Sequence, residues 1–197
     1  MLIRNAVQLL GGLLLLSAFQ ASAWASHDYK INITTSGFDL SQFYVKILPP
    51  EGYAPNSSCM QTWQVPSKEV RLNTATPMQT VTITDKDSST CSGNAKYNTW
   101  KYEIWRYPFT SYPYERQVGQ GSLQFVHQKV YGDWTTMIIP RNLDGIPRGS
   151  PAVGMAVCYS NKNVGNNCLL RDVKGKDAAD TINIYFRWPV NENYSLF

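Results

Sequence analysis

The feature that most constrains this chain is a two-residue rhythm. TINIYFRWP (181–189) alternates so that Ile182, Ile184, Phe186 and Trp188 fall on one side, and HDYKINITT (27–35) does the same with Tyr29, Ile31 and Ile33. Successive side chains of an extended strand point to opposite faces, so such runs suit strands with one buried face and place no apolar stripe along a helix. The rhythm recurs in QFYVKIL, CMQTWQV, KEVRLN and MQTVTIT, where Val81 and Ile83 share a face. It continues in GSLQFVHQKVY and DWTTMIIP on either side of Gly132, and in AVGMAVCYS and CLLRDV. The runs break at Gly, Pro, Asn and Asp, the residues that build turns. Only KGKDAAD reads as a turn of helix.

Ten or eleven short strands at this spacing predict an all-β fold. The strands are short and uneven, which favours a single antiparallel β-sandwich over a closed barrel. An immunoglobulin-like topology is one arrangement that fits. The usual landmark of that fold is not clear, because Trp63 stands only four residues past Cys59, too near to be the core Trp of such domains.

The first residues point to export. A short basic start with Arg4 is followed by VQLLGGLLLLSAF, an apolar run of roughly a dozen residues, the size of a signal-peptide core rather than a membrane span. Ala21-Ser22-Ala23 and Ala23-Trp24-Ala25 both fit a cleavage site. The expectation is a signal peptide over 1–23, cut after Ala23 or Ala25, and one disulfide-containing domain over 24–197. No Cys stands at the cleavage point to carry a lipid anchor, and no later run approaches the roughly 18 apolar residues of a spanning helix. A secreted or periplasmic protein with no transmembrane segment in the mature chain is expected. The sequons Asn32-Ile33-Thr34, Asn56-Ser57-Ser58 and Asn193-Tyr194-Ser195 matter only in a eukaryotic secretory pathway.

Four cysteines lie beyond the leader. An even count in an exported chain reads as two disulfides, and the preferred pairing is Cys59–Cys91 with Cys158–Cys168. The second pair brackets the polar loop YSNKNVGNN and would clip a hairpin just below its tip. Zinc is the poorer reading, since no two cysteines have CxxC spacing and the chain holds only His27 and His127. The formal charge of +4 falls to +3 once Arg4 leaves with the leader. With no basic run in the chain, nucleic acid is not expected as a partner.

Catalytic residue types are sparse. His27 lies too near the new N-terminus to be expected in a fixed place, and His127 reads as a strand residue on a half-buried face. No GxSxG elbow occurs. Glu103, Glu115 and Asp133 are the acids that a glycosidase-like pair could draw on, but Glu103 alternates with Lys101 as a solvated outer face would. Asp85-Lys86-Asp87-Ser88-Ser89-Thr90 resembles half a calcium loop but lacks its glycine and terminal glutamate. The chain is read as non-enzymatic, with no cofactor and no metal.

The richest segment is YNTWKYEIWRYPFTSYPYER, residues 97–116, whose first eighteen positions hold eight aromatic rings. Alternation puts Trp100, Tyr102 and Ile104 on one face and Thr99, Lys101 and Glu103 on the other. Trp105, Tyr107 and Phe109 then fall on the face of the charges. Either a bulge at Trp105 shifts the register, or the strand turns apolar on its wet side. Pro108 and Pro113 end regular pairing. Trp100 and Tyr102 are expected in the core. Tyr107, Phe109, Tyr112 and Tyr114, flanked by Arg106 and Arg116, are the candidate ligand-binding patch.

These features suggest a secreted binding module, adhesin- or lectin-like, that recognises a glycan or a protein surface through that patch. A structural or assembly subunit that self-associates is the alternative, with the run Tyr29, Ile31, Ile33 adding a strand to a neighbour's sheet. A membrane-active toxin with its rings at the lipid interface is a further one.

Overall fold

Two sheets form because the alternating runs each have one apolar face to cover, and facing another such sheet covers both at once. A computed structural model describes residues 26–48, 58–60, 69–86, 88–141, 152–159, 164–175 and 180–187. The signal-peptide expectation, the sequons at Asn56 and Asn193, Trp188, and most of CMQTWQV and of the KGKDAAD turn lie outside the described residues.

The described residues form eleven strands. The first sheet holds β1 (Asp28–Thr35), β4 (Met78–Thr84), β8 (Val153–Tyr159), β9 (Gly165–Asn167) and β11 (Thr181–Phe186), in the order β4-β1-β11-β8-β9. The second holds β2 (Phe43–Leu48), β3 (Val70–Leu72), β5 (Lys96–Arg106), β6 (Arg116–Val130), β7 (Asp133–Arg141) and β10 (Val173–Lys174), in the order β10-β7-β6-β5-β2-β3. The protein is an all-β sandwich. Every pairing between these strands is antiparallel except one: β1 and β11 run parallel with Ile31 beside Ile182 and Ile33 beside Ile184. Because β1 also pairs with β4, both of its edges are used within its own sheet. In this fold it has no free edge to lend to a neighbour.

The core is the one the alternation marks out. Tyr29, Ile31, Ile33, Val81, Ile83, Ile182, Ile184 and Phe186 from the first sheet meet Val45, Ile47, Leu72, Trp100, Tyr102, Ile104, Leu123, Phe125 and Ile138 from the second, all buried. Both expected disulfides are formed. Cys59–Cys91 ties the segment beside Met60 to the short 3-10 turn Ser89–Cys91 after β4. Cys158–Cys168 sits where the chain leaves the first sheet for the second: Cys168 N donates to Ala156 O in β8, while Ile138 N in β7 donates to Cys168 O.

That crossing corrects the reading of CLLRDV as the second strand of the bridged hairpin. The strand opposite β8 is Gly165–Asn167, inside the segment taken for the loop. Residues 168–172 pass between the sheets instead, with Leu170 in the left-handed region at φ 56°. The β6–β7 hairpin expected at Gly132 is present, closed by Tyr131 and Gly132 at φ 50° and 90°, the backbone sense of a two-residue turn that follows strand twist.

A tight approach in the core occurs at Gly121 of β6, directly across from Tyr102. A Cβ there would lie 2.6 Å from Tyr102 Cζ and nearer still to its hydroxyl. Tyr102 is buried against Phe186, with ring centroids 5.1 Å apart, and has no room to yield. Gly121→Ala is therefore expected to destabilise the fold by about 1–3 kcal/mol, read as a lower urea midpoint. Adding Tyr102→Phe should recover part of the loss, since the hydroxyl is the nearest obstacle.

Candidate functional site

The rings of residues 97–116 are sorted by parity along β5. Its inward line, Trp100, Tyr102 and Ile104, lies in the core as expected. A register shift does occur beside Trp105, but the extra residue is in the partner strand. Ile104 faces Gly119 and Trp105 faces Gln117, so Val118 of β6 is the additional residue. The parity of β5 is therefore unbroken, and Trp105 stays on the outer face with Lys101 and Glu103. This excludes the reading in which a bulge turns all the rings into the core.

On that outer face Trp105 joins a cluster that the sequence reading had not assembled. Tyr44, its neighbour on β2, is fully buried although it points away from the main core. Trp105 stacks beside it with ring planes 11° apart, and Tyr107 packs at 4.9 Å between centroids. The Arg71 guanidinium covers the Tyr44 ring at 4.6 Å, and Lys46 Nζ lies 4.6 Å from the centre of the Trp105 ring. The Tyr44 hydroxyl donates to Glu115 Oε2 at 2.7 Å. Burial, and then that bond to a carboxylate, push the phenol well above its ordinary range. The signal available in the sequence was an aromatic at the parity of Lys46 in FYVKIL.

Glu103 is also more enclosed than a solvated face residue. It pairs with Lys101 at 2.9 Å and accepts from Trp105 Nε1 at 2.9 Å. Burial pushes its carboxyl up, but the hydrogen bonds from Lys101 and Trp105 and the charges of Lys101 and Lys46 outweigh this and hold it below its usual value.

Beyond Arg106 the β5–β6 connection forms the tip of the hairpin. Tyr107 N donates to Gln42 O at 2.8 Å, which extends the pairing with the β2 side by a step. Phe109 and Tyr112 then close on each other through two backbone bonds, N to O at 2.9 Å and 2.8 Å, around Thr110 and Ser111. Their rings lie 5.1 Å apart and tilted by 45°. The Arg106 guanidinium sits 4.0 Å from the centre of the Phe109 ring and 5.6 Å from that of Phe43, and Arg106 Nη2 reaches Gln42 Oε1 at 3.4 Å. Tyr114 stands clear of these contacts and is 81% exposed; Arg116 is exposed as well.

The six candidate residues thus do not form one sheet of rings. Tyr107 belongs to the outer-face cluster around Tyr44. Phe109, Tyr112 and Arg106 form the tip, and Tyr114 and Arg116 flank it. Arg106 and Arg116 face each other directly across the β5–β6 ladder, a like-charge arrangement that ordinarily costs stability.

The opposite end of the sandwich holds a buried polar group. Asp85, 3% exposed, meets the Lys96 ammonium, the Tyr29 hydroxyl and the His27 amide. His127 points inward and is buried rather than half-buried, because Trp134 stacks over it at 4.6 Å and Thr136 Oγ1 lies 2.9 Å from its Nδ1. His27, expected to lack a fixed place, has Nε2 2.8 Å from Asp180 and its ring edge-on to Tyr29. Asp85, the first acid of the calcium-like loop, is thereby engaged within the protein. Asp133, at the β6–β7 turn, pairs with Lys174 at this same far end, remote from Glu115 at the tip. At Asn32, Nδ2 donates to Asn183 and Oδ1 accepts from Thr80, so that sequon is occupied by a cross-strand ladder.

Fold and site together define an all-β, disulfide-bonded sandwich with an aromatic, cationic hairpin tip. Among the described residues no helix is long and apolar enough to cross a membrane. The chain matches no family model, no curated protein and no solved structure.

The Glu103 pairing gives a pH prediction. A carboxyl whose titration is lowered by folding contributes stability above its unfolded value of 4.5 and loses it as pH falls through the folded value. Glu103→Gln should lower stability by about 1 kcal/mol near neutral pH, and the gap to the native protein should narrow as pH falls from about 5 to about 3. Urea midpoints measured across that range check it.

Proposed function

We propose that this protein is a secreted, non-enzymatic binding module, adhesin- or lectin-like, that meets a glycan or protein surface with the tip of the β5–β6 hairpin. The observation that carries this reading is the exposure of large rings there: Phe109 39%, Tyr112 53% and Tyr114 81%. Exposed rings are costly to leave in water unless something covers them. Phe109 and Tyr112 sit on a short turn pinned by two reciprocal backbone bonds, so little of their conformational freedom remains to be lost on binding. Pro108 and Pro113 on either side lack an N–H and stop the strands from pairing further. The two disulfides fit an oxidising compartment outside the cytoplasm.

The 45° tilt between Phe109 and Tyr112 makes the tip a faceted knob rather than a flat platform. It offers a single ring face to one sugar, or edges and faces together to a concave protein surface. Self-association through the same rings is the competing reading. Sedimentation at several concentrations separates the two, because an assembly subunit grows with concentration and a monomeric binder does not. Failure to partition onto liposomes would remove the membrane-active reading.

The decisive experiment is a glycan-array and pull-down comparison of the native protein with Tyr112→Ala/Tyr114→Ala. Both substituted side chains are exposed, so the variant should unfold like the native protein and lose roughly tenfold or more in affinity for whichever ligand is captured. Equal retention by the two proteins would overturn the assignment of the site.

A further inference from the structure

We infer that the ligand of this tip is an acidic saccharide, one bearing a carboxylate or sulfate, and that Arg106 and Arg116 are the residues that receive its anionic group. The inference rests on the proposed reading of the tip as the contact surface and adds the chemistry of what it contacts.

The two arginines are opposed in register, so their side chains leave the ladder on the same face. Neither takes part in an ion pair among the described residues. The carboxylates close enough in the chain to neutralise them are directed elsewhere. Glu115 accepts from the Tyr44 hydroxyl on the outer face. Asp39 is held by Ser41 and by Gln42 Nε2, and Gln42 turns its oxygen toward Arg106. Glu103 is engaged by Lys101 and Trp105. A like-charge cross-strand pair without an ion-pair partner is destabilising on its own and becomes favourable when an anion lies between the two groups.

Arg106 is also placed in advance. Its guanidinium rests against Phe109 and near Phe43, and a stacked guanidinium keeps its in-plane N–H donors available for bidentate contact with a carboxylate or sulfate. The Phe109 ring is immediately beside it, and the Tyr112 ring follows 5.1 Å further on. An acidic pyranose carries both an apolar C–H face for a ring and an anionic group on the same unit, which matches this juxtaposition. An acidic peptide supplies the charge without the saccharide face.

The test measures affinity of the purified protein for heparin, for neutral dextran and for poly-L-glutamate. Heparin should bind, dextran should not, and poly-L-glutamate should bind roughly tenfold or more weakly than heparin. Arg106→Gln/Arg116→Gln should weaken heparin binding roughly tenfold or more. Lys30→Gln/Lys86→Gln removes the same charge from exposed positions at the far end and should change it by about twofold at most. Arg116→Gln alone should leave the urea midpoint unchanged or raise it, as expected when a like-charge pair is relieved.

Native heparin affinity in the double arginine variant, an equal loss in the lysine variant, or equal binding of poly-L-glutamate would each overturn the inference. So would a marked fall of the midpoint in Arg116→Gln, which would make that side chain structural. If Tyr112→Ala/Tyr114→Ala keeps native heparin affinity while the arginine variant loses it, the ring contact fails and the anion site stands. The reverse result overturns the anion site and leaves the ring contact in place.

Discussion

The parity of β5 decides where this protein keeps its rings. Eleven consecutive residues, Lys96–Arg106, alternate without interruption, so each side chain's face is fixed by its number. Even positions from Trp100 to Ile104 fill the space between the sheets, while Lys101, Glu103 and Trp105 stay outside. The unbroken count is possible because β6 absorbs the irregularity at Val118. Had β5 carried the bulge, Trp105 would have turned inward, and the outer cluster would have lost the ring stacked on Tyr44. A one-residue choice between partner strands therefore separates a larger core from a decorated surface.

The outer corner and the tip use charge in different ways. Around Tyr44 and Trp105, cations and carboxylates are interleaved: Arg71 and Lys46 over the rings, Glu103 and Glu115 on their polar atoms. That corner is internally neutralised and acts as a buttress at the base of the hairpin. A few residues further, Arg106 lies over the Phe109 ring with Arg116 across from it, and neither makes an ion pair among the described residues. The buttress holds still what the tip presents, because Tyr107 is fixed on one side by Tyr44 and on the other continues into the Phe109–Tyr112 turn.

Much of the sandwich was legible because its signal is local. Tyr29, Ile31 and Ile33, or Ile182, Ile184 and Phe186, declare a buried face within a single strand, and a short cysteine spacing around a polar loop declares its own bridge. What escaped was non-local. The bulge was sought where the rings drew attention, in β5, yet glycines inside VGQGS marked the partner strand as the place able to kink. CLLRDV looked like a strand because its apolar residues are continuous, but Cys168 is held from both sheets and Leu170 turns the chain between them. The separation of Tyr107 from the rest of the patch depends on Tyr44, more than sixty residues away in sequence, which no window along the chain could supply.

The parallel pairing of β1 with β11 has a consequence for the order of events in the life of the chain. β1 lies between β4 and β11, so the five-stranded sheet cannot be completed until β11 has been made. Everything from β1 to β11 must be available before the two can pair, and contacts this distant along the chain form slowly. Late closure of that sheet is written into its strand order.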